Sequence, residues 1–133
     1  MLSQVDHDVL AARTLLAADR ERPLAPEPRR RLGQLLERLR KTPRPDGPVY
    51  AMAFDAARDA RRAPEDAAGR LSEAARGFER IDMGAEGDAC RWRAAELSSD
   101  RAGMDAAADG LARRGAREPE RWARVLVPGP EVG

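Results

Sequence analysis

The side chains with chemical reach in this 133-residue chain fall in a few places. Asp6, His7 and Asp8 put three metal-ligating residue types in adjacent positions. Neighbouring residues on a helix do not face each other, so these three converge on one ion only if the backbone is irregular. No second histidine exists, and no cysteine or carboxylate partners stand at metal spacing. They read as a polar first turn, and no metal or cofactor is expected. Cys90 lies beside Arg91 and Arg93, cations that lower a thiol pKa. A nucleophilic cysteine also needs a base, and His7 is the sole histidine. Cys90 therefore reads as a small buried filler, and no catalytic residue is expected.

Two tryptophans sit among arginines, in Arg91-Trp92-Arg93 and Arg121-Trp122. An arginine over an indole face makes a cation–π contact, and an exposed indole stacks on bases or anchors a protein partner. Trp92 reads as core or as the wall of a groove, and Trp122 as a partner or dimer contact. The segment 20–46 holds nine basic and four acidic residues, including Arg29, Arg30, Arg31, Arg38, Arg40 and Lys41. Arg31, Arg38 and Lys41 on one helix face would suit phosphates, with Arg29 and Arg30 beside them; the same residues also make an ordinary solvated face.

Helices must position these groups. Ser3 with Asp6 resembles a capping box, and Val5, Val9, Ala12 and Leu16 recur at helical spacing, which predicts a helix over 4–19. Pro23, Pro26 and Pro28 mark a connector. Leu32, Leu35, Leu36 and Leu39 form the clearest apolar stripe and predict a second helix over 28–42. Further helices are predicted over 48–62, from Pro64 to the turn at 82–84, over 85–97, from the caps at 98–100 to Gly115, and over 119–126. Pro43, Pro45, Gly47 and Pro48 divide an N-terminal hairpin, 1–45, from a second set of hairpins, 46–127. Pro128, Gly129 and Pro130 predict a frayed tail over 128–133, and the whole is one compact domain.

The totals agree with an all-α fold of six to seven helices in stacked antiparallel hairpins, without a sheet. Apolar residues make up 42% of the chain but aromatics only 4%, so the core depends on close helix approach through alanine. The 24 basic and 23 acidic residues nearly cancel, unlike a protein devoted to gripping nucleic acid. Lys41 is the only lysine, and arginine with alanine reads as the coding bias of a GC-rich, actinobacterial genome. A lone cysteine suits a reducing cytosol, and no apolar run approaches the ~20 residues of a membrane span, so a cytoplasmic protein is expected.

One internal echo stands out. The residues of 74–80, AARGFER, and of 107–113, AADGLAR, share two alanines, a glycine, a large apolar residue and an arginine. That spacing is close to the ~34 residues of tetratricopeptide repeats. The surrounding stretch, with its pieces 74–78, 94–97 and 100–103, resembles the tetratricopeptide-type helical arrays in the C-terminal parts of large ATP-binding LuxR-type and related actinobacterial transcription regulators. The resemblance implies a scaffold in a regulatory context and carries no catalytic residue. There is no phosphate-cradling GxxxxGK[ST] loop and no identifiable helix-turn-helix reader.

The expectation is a non-enzymatic protein-interaction scaffold that binds a peptide or helix, or forms a homodimer. Tyr50, Phe54, Trp92, Trp122 and Leu126 are its candidate contacts. A small nucleic-acid-associated regulator using Arg29, Arg30, Arg31, Arg38 and Lys41 is the alternative.

Overall fold

The structure, a computed structural model, describes residues 2–130. Seven α-helices follow one another: α1 (Gln4–Glu21), α2 (Pro26–Lys41), α3 (Asp46–Arg58), α4 (Pro64–Arg80), α5 (Gly84–Leu97), α6 (Arg101–Arg113) and α7 (Pro119–Leu126). No strand occurs among the described residues.

Local chemistry explains most boundaries. The Ser3 hydroxyl accepts from the Asp6 N–H at 3.1 Å, and the Asp6 carboxylate accepts in return from the Ser3 N–H, so α1 opens on a capping box. Pro26, Pro64 and Pro119 open α2, α4 and α7, where a missing N–H costs nothing. α2 and α3 each start two residues before the predicted position, because Pro28 and Pro48 fit within a first turn whose N–H groups have no helical acceptor anyway. The Asp100 side chain accepts from Gly103 N–H and caps α6. α3 stops at Arg58, and residues 59–62 continue it only as turns.

The echo has a structural meaning. Gly77 of α4 faces Val49 of α3, and a Cβ on it would stand 3.1 Å from the Val49 Cγ1. Gly110 of α6 likewise leaves room for the Asp88 carboxylate of α5. Each glycine lets a helix close on the one before it, while Phe78 and Leu111 fill the interior at 0% exposure. The backbone then turns in the same way after each. Met83 N–H returns to the Phe78 carbonyl at 2.9 Å, and Ala116 N–H to the Leu111 carbonyl at 3.1 Å. Asp82 (φ 59°) and Gly115 (φ 102°) supply the left-handed residue that such a C-terminal turn requires.

Packing joins the helices both in sequence and across it. Each helix packs on its predecessor, most extensively α4 with α5, as in a stack of hairpins. In addition α1 packs on α3, α5 on α7, and α7 returns to α1. The contacts therefore close a circuit, α1–α3–α4–α5–α7, rather than an open row. A single apolar core runs through it from Val5 to Val127. The four leucines of α2 are at most 2% exposed, covered within one chain by α1 and α3. Burying each contributes about 1.5–3 kcal/mol. A second copy is not needed to cover this stripe. Ion pairs tie neighbouring helices together, as where Arg70 of α4 reaches Asp55 of α3 and Asp59 just beyond its end at 2.9 and 2.8 Å.

Candidate partner-binding site

The aromatic residues expected to line a binding face divide sharply. Tyr50 and Phe54 of α3 and Trp92 of α5 are 6%, 0% and 1% exposed. They belong to the core, because in a chain with so few large side chains the interior takes them first. Tyr50 packs against Phe54 and, edge-on, against Phe78, with ring centroids 5.6 and 5.0 Å apart. Its hydroxyl donates to Glu86 of α5 at 3.3 Å. A partner cannot reach these rings, so the face between α3 and α5 is not a peptide groove.

Part of that interior is filled by the chain's own C-terminal end. Residues 127–130 are buried, where fraying was expected over 128–133; residues 131–133 lie outside the described part. Arg93 of α5, 1% exposed, donates to the Pro130 carbonyl at 2.9 Å and pairs with Glu96. Gly129 adopts φ 142°, and a Cβ there would press on Ala57 of α3 at 3.2 Å. Arg13 of α1 donates through Nε to the Leu126 carbonyl at 2.9 Å. The segment thus touches α3 and α5, and the end of α7 just before it is held by α1.

Arg13 is the least expected member of this region. Its guanidinium lies over the rings of Tyr50 and Phe54, 5.4 and 5.9 Å from their centroids. Its Nη2 is buried and has no hydrogen-bond partner among the described residues. Arg124 of α7 stacks on Trp92 at 4.9 Å, so that indole's cation comes from another helix and not from its sequence neighbours Arg91 and Arg93.

The outer side of the same seam is open. Leu10 of α1 (56% exposed), Trp122 (45%) and Val125 (61%) of α7 are three of the five exposed large apolar side chains among the described residues. Leu10 and Val125 flank a groove of 560 Å³ between the two helices, with Arg13, Ala17, Arg20, Arg121, Arg124 and Pro128 on its walls. Val125 also borders a smaller apolar hollow of 390 Å³ with Trp122 and the half-buried Leu126. Trp122 and Leu126 are therefore brought together, while Tyr50, Phe54 and Trp92 are withdrawn. Leu10 was passed over because it stands one step round the helix from the buried Val9. Its only sequence signal was a large apolar residue off the main stripe.

The remaining candidates separate. Asp6 pairs with Arg44 at 3.0 Å, a hydrogen bond that holds its carboxyl below the usual range. The buried Asp8 accepts from Arg38 and Gln4, and His7 is exposed. Cys90 is fully buried, and burial pushes its thiol pKa far up. On α2, Arg29 donates to the Leu24 carbonyl, Arg30 pairs with Glu27, Arg38 with Asp8 and Lys41 with Glu37. Arg31 is exposed on the same helix. No helix among the described residues is long and apolar enough to cross a membrane.

No family model matches this sequence, and comparison with curated proteins and with solved structures returns no match.

Proposed function

We propose that this chain is a non-enzymatic protein-interaction module that docks a partner on the seam between α1 and α7. The observation that carries the reading is that Leu10, Val125 and Trp122, three of the five exposed large apolar side chains among the described residues, line two adjoining hollows that share Val125. Exposed apolar clusters rimmed by polar groups are a common feature of protein contact sites, and tryptophan is enriched among the residues that dominate their energetics. The buried, unactivated thiol of Cys90 supports a non-catalytic role. The resemblance to helical arrays of transcription regulators is the reason to propose a regulatory setting.

Nucleic-acid binding through Arg29, Arg30, Arg31, Arg38 and Lys41 has less support, since Arg38 is held by the buried Asp8 and the chain's 24 basic and 23 acidic residues nearly cancel. Affinity for duplex DNA that falls steeply with salt would favour it instead.

The test is selection from a displayed random-peptide library, run in parallel on the wild type and on a Leu10→Ser/Val125→Ser variant. Both positions are exposed, so the fold is expected to persist, with circular dichroism as the check. Peptides retained by the wild type and lost by the variant support the reading. Light scattering covers self-association through the same seam. A monomer that retains no peptide sinks the proposal.

A further inference from the structure

The groove's charge narrows the class of partner. Four arginines line it, Arg13, Arg20, Arg121 and Arg124, and no aspartate or glutamate does, while the adjoining Trp122 hollow adds one carboxylate, Glu118, beside Arg121. Arg121 pairs with Glu118 at 3.4 Å, but both side chains are more than two-thirds exposed. A pair so exposed is weak, so the arginine is readily recruited by another carboxylate. Arg13 is different. It sits against the aromatic core with no ion pair among the described residues, and its buried Nη2 lacks an acceptor. Aromatic faces and one carbonyl offset part of the cost of holding a cation there, and a carboxylate beside the part of Arg13 that lines the groove would offset more of it. An apolar partner segment would cover Leu10, Val125 and Trp122 yet leave this charge desolvated. A basic one would add repulsion.

We infer that the α1–α7 groove takes an acidic, apolar-anchored peptide segment of a partner protein, its large apolar side chain against Leu10, Val125 and Trp122 and its carboxylates on Arg13, Arg20 and Arg121. This rests on the protein-binding reading above and adds the chemistry of the occupant. Arginine suits the task because its planar fork accepts a carboxylate in two parallel hydrogen bonds.

The experiment uses the pool selected by the wild-type chain. The expected pool is enriched in Asp and Glu together with Leu, Phe or Trp. One selected peptide is then titrated by tryptophan fluorescence; Trp92 is sealed in the core, so the change reports on Trp122. Its Glu-to-Gln and Asp-to-Asn counterpart is expected to bind roughly tenfold or more weakly, as is the peptide to Arg121→Glu, since hydrogen bonds to charged groups contribute on that scale. Arg20→Glu provides a second rim variant, and Arg13→Met tests the floor where circular dichroism shows it folded.

A neutral or basic pool, or equal binding of the uncharged peptide, overturns the acidic partner while leaving a protein-binding seam. A dimer that buries Trp122 and retains no peptide also overturns it, with a second copy as the occupant. An oligothymidylate that displaces the peptide and binds more tightly overturns it in favour of single-stranded nucleic acid. A monomer that binds none of these removes both the inference and the reading beneath it.

Discussion

Tyr50 is the chain's one tyrosine, and its ionisation is pushed up to about 12, first by burial and then by the Glu86 carboxylate it faces. The unfolded chain ionises near 10, so the folded state favours the neutral phenol. Its contribution to stability is present in full below pH 10 and is lost as pH rises from 10 towards 12. Tyrosinate absorbance should therefore appear only with loss of helical circular dichroism in that window. Absorbance that titrates near 10 in a folded protein would contradict the buried placement. Cys90 makes a parallel case. A thiol reagent at neutral pH is expected to leave the folded protein untouched and to modify it in denaturant. At this scale the sequence was legible where chemistry needs a partner: with His7 the only histidine, Cys90 read as a filler, and it is buried. It was illegible for Tyr50, Phe54 and Trp92, because an aromatic on a helix serves core or surface equally well until the neighbouring helices are placed.

The helices themselves were readable because their ends carry local signals. Ser3, Asp100 and the prolines at 26, 64 and 119 act within one turn, needing no knowledge of the rest of the fold. Replacing Asp100 by alanine leaves the Gly103 N–H without its cap and should cost about 1 kcal/mol, read as a lowered melting temperature. The segment at 127–130 shows the opposite. Val-Pro-Gly-Pro has the composition of a fraying end, and what holds it is distant: the Arg93 guanidinium and the surface of Ala57. Gly129→Ala tests this directly. Its backbone is strained for any other residue and its Cβ would meet Ala57, so a loss of roughly 1–3 kcal/mol is expected. An unchanged urea midpoint would mean that the segment is not held in this way.

For the whole molecule, the return of α7 to α1 matters more than the stacking of hairpins. A linear stack is stabilised by neighbours alone and frays from its ends. Here the first and last helices share contacts, and Arg13 bridges to a carbonyl 113 residues away. Unfolding should therefore be one cooperative event, with circular dichroism and tryptophan fluorescence giving coincident urea transitions. Separate transitions would indicate that the circuit opens before the hairpins melt. The stacking was legible from an echo of 33 residues, but the closure was not, since no local pattern announces that two distant helices meet.

That closure also has a consequence during synthesis. The chain emerges from its N-terminus, and α1 to α3 present Arg13, Tyr50 and Phe54 long before Arg93 and Pro130 exist to help enclose them. Until the last turn of α7 is made, an aromatic face with a cation upon it stands open to water and to other chains. Nascent chains interrupted before α7 should expose apolar surface that the finished protein hides, and should be the form that a chaperone sees.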